Sequence, residues 1–172
     1  RGIMFSNNDL KRLIVPLVIE QVLMSLMGAI DTVMVSNVSP SAISAVSLVD
    51  SINLLIVNLL AALAAGGTVV CAQYLGKGDM KQVKNSSNQL LLSVLAFSIV
   101  ITIIFYLSHR QLLSLIFGSV EADVMANSIK YFTITMLSYP FVALNSASSA
   151  LFRAIGNSRL PMTIALASNG LN

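Results

Sequence analysis

Residues 90–107 read LLLSVLAFSIVITIIFYL, a run that contains no charged side chain. About 20 apolar residues of α-helix cross the hydrocarbon core of a bilayer, so this run predicts a membrane-spanning helix. The composition agrees, because 56% of residues are hydrophobic and 10% are charged, against roughly 25% charged in ordinary soluble domains. Mean hydropathy is +0.84. These values predict an all-α membrane protein, a bundle of transmembrane helices.

Further apolar stretches lie on both sides of this run. They predict helices over 10–35, 42–75, 131–152 and 160–172 in addition to 90–107. Ser39 and Pro40 precede the second stretch and suit a helix start. The chain begins at Arg1 without a methionine and stops inside an apolar segment, so we expect it to be a piece of a longer protein.

Basic residues are distributed unevenly among the connections between these helices. The lead, the second connection and the fourth hold eight of the ten: Arg1, Lys11, Arg12, Lys77, Lys81, Lys84, Arg153 and Arg159. Short cytoplasmic loops collect Lys and Arg, which predicts a cytoplasmic amino terminus. Because these residues flank membrane segments with few aromatic neighbours, nucleic-acid binding is disfavoured.

Three acidic residues fall inside predicted spans, namely Glu20, Asp31 and Asp50, where we expect no Lys or Arg to neutralise them. An acid facing lipid at the helix centre costs about 3 kcal/mol, so these residues are predicted to line a hydrated cavity. Glu20 and Asp31 share one helix face, with Met24 and Met27 between them. That face suits cations of varied shape, although the two methionines are equally explained as fillers of helix contacts.

Asp31 is the favoured coupling residue. A carboxyl in a partly dehydrated cavity can take up a proton or coordinate sodium, whereas the alternative for Asp31 is a boundary residue in headgroup water. Asp50 is either a second such group or a residue near the outer entrance, and Asn53 beside it suits substrate binding or inter-helix hydrogen bonding. Glu20 is a pocket charge for a cationic substrate or another coupling group. Tyr131 can donate to Asp31 or belong to an interfacial aromatic belt.

Two prolines interrupt predicted helices. Pro16 and Pro140 each remove an internal backbone hydrogen bond, so both are candidate hinges. Gly66 and Gly67 form a small-residue face that predicts close helix packing.

The motifs that run along the chain resemble those of the multidrug and toxic compound extrusion (MATE) family. They are Pro16 followed by Asp31-Thr32-Val33-Met34-Val35, then Gly66-Gly67-Thr68, Ala72-Gln73-Tyr74-Leu75-Gly76-Lys77-Gly78-Asp79, Tyr131, and Leu151-Phe152-Arg153-Ala154-Ile155-Gly156-Asn157-Ser158-Arg159-Leu160-Pro161-Met162.

This resemblance implies an exporter of two six-helix bundles that exchanges sodium or protons for organic cations and other amphipathic compounds. The chain would hold about four and a half helices of the first bundle, without the carboxy-terminal half. By the same resemblance, Asp31 would be the cation-site carboxylate, Tyr131 its neighbour and Asn172 a helix-five partner, with Asp31 and Asn172 binding sodium if sodium is the coupling ion. Ser36 and Glu20 depart from the family pattern.

The implied partners are the bilayer of the cell membrane and small cationic substrates, with no cofactor besides the coupling ion. The alternative function is a flippase for lipid-linked saccharides, which would need a more cationic cavity. An intramembrane enzyme would need paired catalytic groups or metal ligands, and the only histidine is His109 in a predicted outer loop. A structural membrane subunit would leave the three acids unexplained.

Overall fold

The computed structural model describes residues 7–36, 39–118 and 120–171; within these, the side chains of Asp9, Asp31, Val35, Ser36, Asn169 and Leu171 lie outside the description. All regular secondary structure in the described residues is α-helical. The helices are α1 (Asn7–Ser36), α2 (Pro40–Gly76), α3 (Met80–Phe117), α4 (Ala122–Met136), α5 (Tyr139–Ala154) and α6 (Arg159–Leu171). The all-α fold predicted from the sequence is therefore confirmed.

Local capping explains where α2 and α3 begin. The Ser39 hydroxyl accepts a hydrogen bond from the Ala42 amide at 3.1 Å, and Pro40 occupies the first helical turn. Asp79 caps α3 by accepting from the Gln82 amide at 3.1 Å. α3 extends about ten residues beyond each end of the apolar run 90–107, since a helix continues through polar turns that hydropathy does not mark.

The fourth predicted span, 131–152, contains parts of two helices. α4 ends at Met136 and α5 begins at Tyr139, so the break lies at Leu137 and Ser138. Pro140 is the second residue of α5 and has no N–H to donate to the carbonyl of Met136, four residues earlier. That carbonyl lies 3.3 Å from the Thr102 hydroxyl of α3, which it shares with the Ser98 carbonyl of α3 at 2.8 Å. By contrast, α1 continues as helix through Pro16.

The core forms around α2, which packs against α3, α4 and α5. Its buried apolar side chains follow one face and meet buried residues of the neighbouring helices. From α2 these are Val49, Ile52, Ile56, Leu60 and Ala64; from α3, Leu90 and Val94; from α4 and α5, Phe132, Met136, Tyr139, Ala143 and Ala147. α1 lies apart from this core and packs mainly on α6.

Gly67 is where α2 and α3 approach most tightly among the described glycines. A Cβ built there would overlap Cδ1 of Leu90 and lie 3.2 Å from its Cγ, whereas a Cβ at Gly66 would meet nothing within 4 Å. The close packing predicted for this pair of glycines therefore depends on Gly67.

Within the described residues, three helical segments are long and apolar enough to cross a membrane by length and composition: Leu10–Met34, Pro40–Gly76 and Met80–Phe117. Many of their large apolar side chains point away from the core, such as Leu92, Ile103 and Leu107, which is 79% exposed. A surface of this kind suits contact with lipid and not with water.

Candidate functional site

Four polar side chains join α2 to both sides of the α4–α5 break. The Tyr131 hydroxyl donates to Oδ1 of Asp50 at 3.1 Å, and the Tyr139 hydroxyl donates to Oδ1 of Asn53 at 2.8 Å. Asn53 Nδ2 donates to the same Asp50 oxygen at 3.2 Å. Tyr131, Asp50, Asn53 and Tyr139 therefore form one hydrogen-bonded polar chain.

Asp50 is the final acceptor of this polar chain, because it accepts hydrogen bonds and donates none. A phenol has a single O–H, and Asn53 uses its amide nitrogen toward Asp50 and its oxygen toward Tyr139. Oδ1 of Asp50 accepts twice, which leaves Oδ2 without a hydrogen-bond partner among the described residues. Since Asp50 is exposed, this oxygen can accept a proton or a cation from a water-filled space.

The position of Asp50 along α2 is compatible with membrane depth. α2 has 37 residues, which corresponds to a length of about 55 Å. If its midpoint, Asn58, lies at the centre of a hydrocarbon core about 30 Å thick, Asp50 lies about 12 Å from the midplane. The acid then needs a hydrated or protein-lined environment.

Glu20 forms an ion pair, so the expectation that no basic residue neutralises it is wrong. Nη1 of Arg153 donates to both carboxylate oxygens at 3.2 Å. The Glu20 side chain is 10% exposed and that of Arg153 is 32% exposed. Arg153 was expected in a connection, but it lies in the last turn of α5, from which its long side chain reaches α1.

The remaining predicted site residues of α1 do not share one environment. Met24 is 55% exposed and Met27 is half-buried, whereas Glu20 and Pro16 are buried. The Glu-Met-Met-Asp face is therefore not a uniform cavity wall along the described part of α1. The side chain of Asp31 and the whole of Asn172 lie outside the described residues, so their roles at a cation site stay predictions.

Sequence reasoning missed three residues that complete these contacts: Tyr139, Arg153 and Thr102. Tyr139 and Arg153 are 86 and 133 residues from their partners Asn53 and Glu20. No spacing rule links residues so far apart. The Tyr139-Pro140 pair was the one local signal, since a proline indicates that a helix is reorganised beside it.

The part of the chain that the structure describes contains no group of three or more His, Cys, Asp or Glu residues placed to hold a metal ion. Apart from the polar chain and the Glu20–Arg153 pair, the polar side chains of the described spans mostly bond to their own helix backbone. Thr68, for example, donates to the Ala64 carbonyl at 2.7 Å.

Comparison with known proteins gives a consistent result. The MatE family model matches residues 16–172. A probable multidrug resistance protein NorM of Thermotoga maritima is 27% identical over 165 residues, which are 95% of this chain and 35% of that protein.

Solved structures show the same fold. The outward-facing conformation of a multidrug resistance MATE family transporter of the MOP superfamily superposes with a TM-score of 0.88 at 21% identity, covering 95% of this chain and 36% of that one. A MOP superfamily transporter from Pyrococcus furiosus Vc1 (DSM3638), whose reverse polarity of the binding pocket suggests a different function, gives 0.87 at 21% identity, with the same coverage. The chain thus spans about a third of the length of these relatives.

Proposed function

This chain belongs to the MatE family of transporters, and we propose that it forms the amino-terminal helix bundle of a cation-coupled exporter of amphipathic or cationic small molecules. Its multi-pass apolar helices place it in a membrane as an integral protein. The observation that supports a cation site near Tyr131 is its hydrogen bond to Asp50, a carboxylate inside a spanning helix whose Oδ2 has no hydrogen-bond partner among the described residues. The full exporter includes a second bundle that the chain does not contain.

The charge distribution supports an orientation with the amino terminus in the cytoplasm. Lys11, Arg12, Lys77 and Arg159 stand at helix ends that the connectivity brings to one end of the bundle, here called the basic end. The positive-inside tendency assigns that end to the cytoplasm. Asp50 and Tyr131 then lie toward the outer side.

We assign the coupling role to Asp31, with Tyr131 and Asn172 as its neighbours, as the family resemblance implies. A proton or sodium ion enters from outside and neutralises this carboxylate. The resulting change in α1 packing favours outward release of a substrate bound between the bundles, because alternating access requires different affinities in the two states. Tyr131 bonds to Asp50, and the proposal makes it a neighbour of Asp31 as well, so the Asp50 carboxylate is a second group that the entering cation can influence.

The available energy is sufficient for concentrative export. One elementary charge that crosses 100 mV releases about 2.3 kcal/mol. At about 1.4 kcal/mol per factor of ten, this sustains a substrate gradient of about fiftyfold.

The proposed substrate class depends on the acid of the described spans that no basic side chain neutralises. Glu20 is neutralised by Arg153, which leaves Asp50, with Asn53 beside it, as the exposed acid among the described residues of the spans. An anionic pocket attracts cationic amphipaths, and exposed methionines such as Met24 adapt to varied shapes. Glu20 and Met27 remain candidates for the pocket wall.

The test is ion-driven efflux by the full-length protein in proteoliposomes. We expect Asp31→Asn to abolish efflux driven by a sodium or proton gradient. The matched control is Asp123→Asn, which removes an exposed acid in the first turn of α4 and leaves efflux close to wild type. Imposing a sodium gradient and a pH gradient separately identifies the coupling ion.

Unchanged coupled efflux in Asp31→Asn would show that the assigned role is wrong. A competition panel tests the substrate class in the same vesicles. Competition by organic cations supports the proposal, whereas competition restricted to lipid-linked saccharides would favour the flippase instead.

A further inference from the structure

An open cleft of about 310 Å³ lies between α1 and α6 at the basic end of the bundle. Three basic side chains line it: Lys11 and Arg12 from the second turn of α1, and Arg159 from the first residue of α6. Two helices distant in sequence thus bring three positive charges to one cleft.

These charges have no partner in the part of the chain that the structure describes. The ion pair found there joins Glu20 to Arg153, and Lys11, Arg12 and Arg159 are not members of it. The described side chains of α6 include no acid. The amino-terminal ends of α1 and α6 also add partial positive charge to the same region. The cleft therefore favours the binding of an anion.

The walls of the cleft are apolar where they continue toward the centre of the bundle. Val15 and Ile19 lie one turn apart on the face of α1 that carries the basic residues, and are 52% and 39% exposed. Met162 of α6 and Pro16 of α1 also line the cleft. A free anion would leave these side chains uncovered, whereas a ligand with a hydrocarbon chain would cover them.

The start of the apolar span puts the cleft at the depth expected of lipid headgroups. The apolar span of α1 begins at Leu10, so Lys11 and Arg12 stand at the boundary between hydrocarbon and water. Basic pockets between transmembrane helices at the cytoplasmic surface are suited to anionic headgroups.

We propose that this cleft binds one anionic phospholipid of the adjoining leaflet. Its phosphate contacts Lys11, Arg12 and Arg159, and an acyl chain lies along Val15 and Ile19. The lipid holds the start of α1 against α6, two elements that pack on each other more than on the core. The site requires membrane insertion but not the exporter activity, so either proposal can fail without the other.

Native mass spectrometry of the purified full-length protein tests the site, with phosphatidylglycerol and phosphatidylcholine offered in equal amounts. Each basic residue near a membrane surface contributes about fivefold to anionic-lipid binding. We therefore expect Lys11→Gln/Arg12→Gln/Arg159→Gln to lower the preference for phosphatidylglycerol by about a hundredfold. Arg159→Gln alone, which leaves both α1 charges in place, should lower it about fivefold.

The matched control removes three other charges at the basic end, as Lys77→Gln/Lys81→Gln/Lys84→Gln. These lysines are exposed around the α2–α3 turn, so the control keeps the same net charge change and should retain the preference. If the control lost the preference for phosphatidylglycerol to the same extent, the effect would come from the net charge of the basic end and not from the cleft. That result would overturn the proposed site.

Two further results would overturn the proposal. One is an unchanged preference in both cleft variants, which would also be the result if another segment of the protein occupied the cleft. The other is displacement of phosphatidylglycerol by millimolar inorganic phosphate, which would show a free-anion site and not a lipid site.

Discussion

Breaking the Glu20–Arg153 ion pair should loosen α1 without unfolding the core. Among the described side chains of α1, Pro16 and Glu20 are the ones that are buried. Pro16 contributes packing, whereas Glu20 contributes a charged contact to the last turn of α5. Among the described residues, this ion pair is the one that joins α1 to α5.

The expected magnitude follows from the geometry. Removing one partner of a fully buried pair costs about 3–5 kcal/mol, whereas exposed pairs contribute about 0.2–1 kcal/mol. The Glu20 side chain is 10% exposed, but Arg153 is 32% exposed and both contacts use the same nitrogen, Nη1. The burial of this pair is thus intermediate between the two cases. The pair also lacks the two parallel N–H contacts, one from each of two nitrogens, that the strongest Arg–carboxylate pairs make. We expect a coupling free energy of about 1–2 kcal/mol.

A double-mutant cycle on the full-length protein measures this coupling. Glu20→Gln, Arg153→Gln and the double variant are compared with wild type by equilibrium unfolding in mixed micelles. Each single variant leaves an unpaired group, so the double variant should lose less stability than the sum of the singles. Hydrogen exchange in Glu20→Gln should increase over 21–34 in α1 and stay unchanged over the buried face of α2.

Additive effects of the two single variants would refute the pairing. Faster exchange in α2 to the same extent as in α1 would refute the view that α1 is attached separately. The variant Glu20→Arg/Arg153→Glu exchanges the positions of the acid and the base. We expect it to recover part of the stability that the single variants lose, because the opposite charges still face each other.

Two further variants test how the helices pack. Gly67→Ala should destabilise the protein relative to Gly66→Ala by about 1–3 kcal/mol, because only the first adds a methyl group that displaces Leu90, while both gain similar helix propensity. Thr102→Val should cost at most about 1 kcal/mol, because the hydroxyl reaches the Met136 carbonyl at 3.3 Å but lies closer to the Ser98 carbonyl of its own helix, at 2.8 Å. Both are measured by equilibrium unfolding of the full-length protein.

For the threonine variant, Thr163→Val is the control, because that hydroxyl donates to the Leu160 carbonyl of its own helix at 2.8 Å. Equal stability of the two threonine variants would show that the bond to Met136 is unimportant. Equal stability of the two glycine variants would show that the Leu90 side chain moves aside with no loss of folding free energy.

The approximate positions of the spans could be predicted from the sequence because hydropathy and helix capping are local properties. The apolar run 90–107 lies within α3, and Ser39 with Pro40 begins α2 as expected. The proline at 140 indicated a disturbed helix, but the sequence did not show that the freed Met136 carbonyl would lie within 3.3 Å of the Thr102 hydroxyl of another helix.

The sequence alone determined that the chain is a bundle of apolar helices with acids inside the spans, because length, apolar content and charge act within a single helix. Only the tertiary structure decided which groups those acids meet. Glu20 contacts Arg153 and Asp50 contacts Tyr131 because the rotation and relative height of packed helices select partners, and both depend on the summed packing of many side chains from distant parts of the chain.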